Sequence, residues 1–363
     1  MMKKQFYILL IGLIPQFQLV CQTYVYSTDE INTLNDSIEN LGISCKITPE
    51  DFGSRAFDQV KSIRVDAKNF ETTRILSFTP NINNLVIESN RIDFFDWKDL
   101  PSGITSLKLG ALPDKMKHFE PSYLPKNLKE IHLRGKWSNQ QLQSLLEANT
   151  HVEKLILEEL ELNEFPIAIK TVNYLGLVGM DLAKSIVFND LPSLNILFID
   201  ECQSLDMVFI QRMGGISEIT IQGSKIQNQE YLKNAMFLKE LTIRNSEFKH
   251  RVISISNNSL LKLRLTNINL HEVSLNTSAL KQLDLSNNGK ITLNGLAHYS
   301  NQLTHFYAYE TSLVNVDLMD YSFRSLSFFG GLENINRKTL PNGFIEYACS
   351  TCTGTLKRVP NDW

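Results

Sequence analysis

The sequence predicts an α/β repeat solenoid, and three observations carry that prediction. Fourteen apolar residues recur at intervals of 20 to 24: Ile63, Leu85, Leu107, Ile131, Leu155, Leu175, Leu197, Ile219, Leu241, Leu263, Leu283, Phe306, Leu326 and Tyr347. Each has an apolar residue three places before it and another two places after it, as Leu238 and Ile243 flank Leu241. Apolar and polar residues alternate around these positions, which is the two-residue period of a half-buried strand. A single unit of this size cannot bury its own apolar face, whereas stacked neighbours can.

The most regular unit is Ile82-Asn83-Asn84-Leu85-Val86-Ile87-Glu88-Ser89-Asn90-Arg91-Ile92. Its aliphatic residues fall at the first, fourth, sixth and eleventh places, with Asn at the ninth. Leu280-Lys281-Gln282-Leu283-Asp284-Leu285-Ser286-Asn287-Asn288 is a second clear copy. These segments resemble the leucine-rich repeat, and the resemblance covers Val60 to Cys352. Leu100-Pro101, Leu124-Pro125 and Leu191-Pro192 resemble the spacers of its short bacterial form. The resemblance implies a horseshoe with a parallel β-sheet on the concave face. At about 22 residues per repeat, roughly ten remain for each return crossing, so the convex segments should be mostly extended or 3₁₀. Asn139 to Ala148, in a 24-residue repeat with Leu142, Leu145 and Leu146, has the extra length and the spacing for a helix.

The ninth place departs from the pattern. It is Asn only at Asn90 and Asn288, and Cys at Cys202 and Cys352. Elsewhere it is Lys68, Leu112, Lys136, Leu160, Met180, Ser224, Ser246, Ile268, Thr311 or Gly331. An inward Asn can satisfy turn amides because its side chain both donates and accepts. A continuous Asn ladder is therefore absent, and several turns must satisfy their amides otherwise.

The ends read differently. Lys3 and Lys4, the apolar run Phe6 to Leu13 and a more polar stretch to Gln22 form an export signal over residues 1–22. The run is too short to span a membrane, and Pro15 interrupts it. Cys21 after Leu19-Val20 resembles a lipoprotein signal, although that motif wants a small residue where Val20 stands. Ser27 to Glu30 reads as a capping box, and Ile31, Leu34, Ile38 and Leu41 at helical spacing predict an amphipathic helix from Thr28 to Leu41, ended by Gly42. The expected order is thus a signal peptide (1–22), an N-terminal helical cap (23–59), a solenoid of about 14 repeats (60–352) and a C-terminal cap or tail (353–363). Of 363 residues, 43% are hydrophobic and 21% charged, with a net charge of -3, so nothing in the charge points to nucleic acid.

No enzyme constellation is present: the seven histidines lack paired metal-ligand spacing, and nucleophile-elbow, phosphate-loop and HExxH motifs are missing. Glu158-Glu159 and Asp200-Glu201 follow strands and read as solvated charges more readily than as an acid/base or cation site. Cys349-Ser350-Thr351-Cys352 has CxxC spacing without a second pair to complete a zinc site. The register turns Cys349 and Cys352 inward, as small core residues or as a local disulfide. Cys45 and Cys202 lie about seven repeats apart, far beyond disulfide reach, and should be free thiols. Neither a metal nor a cofactor is expected.

Burial does not dictate the outward third, fifth, seventh and eighth places, so these can report on a partner. Early repeats present a mixed, charged face that includes Arg64, Glu88, Lys108, His132 and Arg134. Ile156, Tyr174, Val178, Ile196 and Phe198 are apolar on adjacent repeats. Arg244 and Arg264 follow, then His305, Tyr307, Tyr309 and Phe329. Clustered outward aromatics with Arg nearby mark interaction surfaces, while strand surfaces also accept such residues for packing. The partner-binding candidates are Ile156, Tyr174, Val178, Phe198, Arg244, Arg264, His305, Tyr307, Tyr309 and Phe329. The expectation is an exported, non-enzymatic, monomeric binding protein, secreted, periplasmic or at the cell surface. Its ligand would be a protein or other macromolecule, not nucleic acid. The alternatives are a surface or adhesion protein held to the membrane through lipidated Cys21 and, less favoured, a hydrolase with an acidic or Cys site.

Overall fold

A computed structural model describes residues 23–347 except 32–33, 35–36, 46–47, 54–55, 67–68, 90, 163–169, 182–190, 207–214, 229–235, 296–301, 315–324 and 330–345. The chain divides into two compact units, residues 1–119 and 120–363. Both are built the same way.

In the first unit, Thr23–Val25, Asn40–Ile43, Ser62–Val65, Asn84–Ile87 and Ser106–Leu109 pair in that order, all parallel. Leu41, Ile63, Leu85 and Leu107 stand in one row across the sheet. In the second unit eleven strands follow one another: Glu130–Arg134, Lys154–Glu158, Tyr174–Val178, Ile196–Asp200, Glu218–Gln222, Glu240–Arg244, Lys262–Thr266, Gln282–Asp284, His305–Tyr309, Ser325–Phe329 and Glu346–Tyr347. Each pairs in parallel with the next, and Ile131, Leu155, Leu175, Leu197, Ile219, Leu241, Leu263, Leu283, Phe306 and Leu326 form a single row. This is the row the periodicity predicts. The one departure is the last strand, where Tyr347 pairs with Phe328 and not with Leu326, so Tyr347 holds a sixth place rather than the expected fourth.

Fourth and sixth places point into the core. Leu155, Leu157, Leu175, Leu177, Leu197, Ile199, Ile219 and Ile221 are completely buried, while most residues between them are half-exposed. The alternation puts the outward places on the opposite face, as expected. The return side closes the core from behind. In the first unit it uses 3₁₀ turns at Pro49–Phe52, Thr73–Phe78 and Trp97–Asp99. In the second unit it includes the helix Asn139–Ala148, which the sequence predicted. Its capping box is complete: Gln141 N donates to Ser138 Oγ at 3.2 Å and Ser138 N to Gln141 Oε1 at 2.9 Å. Later return segments form a further parallel sheet of Val252–Ser256, Glu272–Asn276, Lys290–Asn294 and Ser312–Val314. The expected "extended" crossings are thus strands in their own right, because Ile253, Ile255, Val273, Leu275, Ile291 and Leu293 alternate inward just as the front strands do.

The expected helix from Thr28 to Leu41 is corrected. Among the described residues helix occupies Thr28–Ile31, and Asn40–Ile43 joins the sheet, so strands begin inside the segment read as a helical cap. Parallel pairing buries both Leu41 and Ile43 to 1% exposure, more than one helical stripe could hide. Gly42 is not a helix stop. It lies beside Tyr24 in register, and a Cβ there would come within 2.6 Å of the Tyr24 ring. Residues 1–22, including Cys21, together with Cys349, Cys352 and 353–363, lie outside the described residues.

The ninth place solves its problem with hydroxyls. Cys202 N donates to Ser224 Oγ at 3.1 Å, Ser224 N to Ser246 Oγ at 3.2 Å, and each Ser hydroxyl donates onward to the carbonyl two residues earlier at 2.8 Å. Farther on, Ile268 N donates to Asn288 Oδ1 at 2.9 Å and Asn288 N to Thr311 Oγ1 at 3.0 Å. Asn288 Nδ2 donates to Leu265 O and Leu285 O at 2.7 and 2.6 Å. Cys202 Sγ lies 3.5 Å from Leu177 O, and burial raises its thiol pKa to about 11. Cys45 and Cys202 are both free thiols, as expected.

Removing a ladder hydroxyl strands a buried amide, which costs about 1–3 kcal/mol. Ser224→Ala should therefore lower the urea midpoint by an amount in that range. Asn288→Ala should lower it further, because it removes the partner of the Ile268 amide and of the Leu265 carbonyl, while Leu285 O keeps its bond from Thr311 Oγ1. Equal midpoints for wild type and both variants would show that the ladder contributes nothing.

Candidate interaction face

Each unit has an outward face of its own character. In the first, charges neutralise one another: Glu88 takes Lys108 Nζ at 2.6 Å and also pairs with Arg64, whose Nε reaches Asp66 Oδ1 at 3.0 Å. These bonds lie on a solvated face, and such pairs contribute little to stability. Glu88 is held below the ordinary carboxylate range: its own burial works against ionisation, and Lys108 and Arg64 outweigh it.

In the second unit, parallel register lines up the third, fifth and seventh places of successive strands. Ile156, Gly176 and Phe198 are neighbours in one row, Tyr174 and Ile196 in another, and Val178 and Asp200 in a third. All except Gly176 are half-exposed, so an apolar patch spans three adjacent strands. Gly176 matters at its centre. A Cβ there would lie 3.1 Å from Ile156 Cγ1, so the missing side chain lets Ile156 lean across the row. Lys154 Nζ sits 5.5 Å from the Tyr174 ring centroid, a cation–π distance that caps one edge.

The patch is flanked by carboxylates with different fates. Glu158 Oε2 contacts His132 Nε2 at 2.9 Å, and Arg134 grips Glu159 with two bonds of 3.0 and 2.9 Å. These acids are committed to ion pairs. Asp200 is not. Its Oδ1 is sealed from solvent without a hydrogen-bond partner. Burial raises its pKa, with neighbouring Glu201 adding to the rise and Arg244 opposing it. Glu218 is likewise raised, by burial and then by Glu240, with Lys262 and Arg264 opposing.

The ten predicted residues fall into separate groups. Ile156, Tyr174, Val178 and Phe198 come together, and Ile196 completes their patch. Arg244 Nε is engaged by Gln222 Oε1 at 2.6 Å, whereas Arg264 is exposed beside Asp284. His305, Tyr307 and Tyr309 share one strand, five strands beyond the Ile196 strand. The His305 and Tyr307 rings are 6.4 Å apart, and Tyr309 is 42% exposed. The Phe329 backbone pairs with Tyr309, and its side chain lies outside the described residues.

Sequence reasoning missed the rim where the strands end. There the eighth place takes a left-handed backbone in repeat after repeat: Gly135, Glu159, Gly179, Glu201, Gly223, Asn245, Asn267, Asn287 and Glu310 all have φ between 50° and 98°. The signal was readable as a column of Gly and Asn, the residues that enter this region at least cost. Asn245, Asn267 and Asn287 are exposed, and Asn267 Nδ2 donates to Asn245 Oδ1 at 2.8 Å. With Asn288 and Glu310 they line an open polar cleft.

Among the described residues no helix is long and apolar enough to cross a membrane, and no group of three or more His, Cys, Asp or Glu could hold a metal ion. No family model matches the chain, and no curated protein does. Solved structures do resemble it. A leucine-rich-repeat protein of Leptospira interrogans is 14% identical, with 85% of this chain and 94% of that one covered and a TM-score of 0.43. An internalin of Listeria monocytogenes is 14% identical, covering 80% and 85%, with a TM-score of 0.46. TLR13, solved in complex with a single-stranded RNA, is 15% identical over 81% of this chain and 48% of its own, with a TM-score of 0.49. The register of the chain's own strands carries the assignment: the fold is a parallel-strand solenoid of the leucine-rich-repeat type.

Proposed function

We propose that this chain is an exported leucine-rich-repeat protein that binds a protein ligand on the outward face of the second unit's sheet. The observation that carries the reading is the half-exposed patch of Ile156, Tyr174, Val178, Ile196 and Phe198 on three adjacent strands, with Asp200 at its border. An apolar side chain of the ligand would cover the patch. Anchors of this kind, aromatic or apolar with a desolvated polar group nearby, dominate protein interfaces. The commitment of Glu158 and Glu159 to His132 and Arg134 favours binding over acid/base catalysis, since a general acid/base pair needs carboxyls free to exchange protons. Export rests on the Lys3 to Gln22 signal, and the monomeric state and the choice of a protein over nucleic acid belong to the same proposal.

The test is capture from the native extracellular fluid, with bound proteins compared between wild type and Ile156→Ser/Phe198→Ser. Loss of a specific ligand with an unchanged melting temperature supports the site. Equal capture by both would place the ligand elsewhere. For the second aromatic group, Tyr307→Ala with Tyr309→Ala should weaken capture while leaving thermal stability nearly unchanged, and a large fall in melting temperature would assign those rings to packing.

Asp200 gives a separate test. A carboxyl whose folded pKa is raised binds its proton more tightly in the native state, so its ionisation opposes folding. That penalty is absent below the unfolded value of about 3.9, grows as pH rises through the raised folded pKa and is complete above it. Asp200→Asn should therefore raise the melting temperature at pH 7, with the gain vanishing near pH 3. A variant that is less stable at pH 7 would show that Asp200 is held by bonds its surroundings supply.

A further inference from the structure

The cleft at the C-terminal rim has a chemistry unlike that of the apolar patch. Asn245, Asn267 and Asn287 occupy the same place in three successive repeats, so their amides recur at about the strand spacing of ~4.8 Å. Glu310 continues the column in the next repeat. Asn288 closes the cleft from below, its amide already engaged with Leu265 O, Leu285 O and Ile268 N. Tyr309, 42% exposed, stands next to Glu310 in the chain.

The lining excludes most ligand classes. It has no apolar side chain to hold a hydrophobic group and no Lys or Arg for an anion. One carboxylate is too few for a cation site made of oxygen ligands. What remains is a row of three side-chain amides that each carry a donor and an acceptor, with the accepting carboxylate of Glu310 continuing it, open to solvent and repeating along one line. A chain of sugar rings presents the matching surface, since every ring offers hydroxyls that also donate and accept, and it repeats too. An exposed tyrosine ring beside such a row can cover the apolar face of a ring.

We infer that the rim cleft formed by Asn245, Asn267, Asn287 and Glu310 is a binding site for an extended neutral glycan, distinct from the protein-binding patch around Phe198. The competing explanation is that Asn is present only because φ values of 50°, 51° and 57° favour it. Glycine accepts the same backbone without strain and carries no amide. Asn→Gly at these positions therefore separates the two explanations.

The experiment screens the full chain on an array of neutral and acidic glycans. It then titrates any neutral chain that binds, in soluble hexasaccharide form, against Asn245→Gly, Asn267→Gly and Asn287→Gly singly and together. The single changes protect the test if the triple variant folds poorly, and Asn287→Asp keeps both the backbone preference and the size. The proposal expects a neutral glycan to bind and the triple variant to bind it at least about tenfold more weakly, the loss of one or two hydrogen bonds. The melting temperature should stay within a few degrees. Binding by acidic chains alone, by no chain, or equally by the glycine variants would overturn it. Ile156→Ser/Phe198→Ser should leave glycan binding unchanged, so the failure of either site is read independently of the other.

Discussion

Everything in this chain depends on parallel register between one repeat and the next. The fourth-place residue of each outward strand stands beside its counterpart on the following strand, from Ile131 through Leu326 in the second unit. Because side chains alternate every residue, a slip of one place would put Leu155 and Leu157 in solvent and Ile156 in the core. Each buried Leu or Ile contributes on the order of 1.5–3 kcal/mol, so a slip along even one strand is prohibitively costly. That penalty makes the outward face predictable. It also leaves its composition free to vary.

Register alone does not close the turns. After the sixth place the chain must leave the sheet, and its amides pass through the interior where water cannot serve them. The solution varies along the chain: Cys202 leans on Ser224, Ser224 on Ser246, Ile268 on Asn288, and Asn288 on Thr311. In every case one side-chain oxygen accepts from the ninth-place amide of the preceding repeat. At these places any side-chain acceptor serves, hydroxyl or amide, while Leu160, Met180 and Ile268 at the same place supply none. Divergence from Asn to Ser or Thr at the ninth place therefore keeps these turn amides paired.

The fourth-place rhythm was legible because burial selects for it directly, and so was the helix at Asn139–Ala148, whose capping box and leucine spacing agree. The Thr28–Leu41 helix was misread because Ile31, Leu34, Ile38 and Leu41 satisfy a helical period while Leu41 and Ile43 also satisfy a strand's. Pairing with Ile63 and Val65 decided between them, and pairing is not a local property. The last strand's shift, Tyr347 against Phe328, was hidden for the same reason. At the candidate face, the sequence identified the rows of apolar residues. It could not show that Asp200 Oδ1 lacks a partner, since that depends on what Val178, Gln222 and Arg244 do around it.

The left-handed rim shows how the two demands meet. A β-carbon in this region costs about 1–2 kcal/mol, so Gly at 135, 179 and 223 needs no explanation beyond φ. Glu159 and Glu201 do need one. Each is followed one repeat later by glycine, and a Cβ at Gly179 or Gly223 would come within 3.2 or 3.3 Å of the preceding glutamate's Cγ. The alternation thus gives each strained glutamate a neighbour without a side chain, over which its own stem lies. Arg134 then holds Glu159 by two bonds, which offsets part of the strain. A rim that needed only its turns would have kept Gly or Asn throughout. Carboxylates thus stand there against backbone preference, at the border of a half-exposed apolar patch, and the strain falls where the proposed interaction face ends.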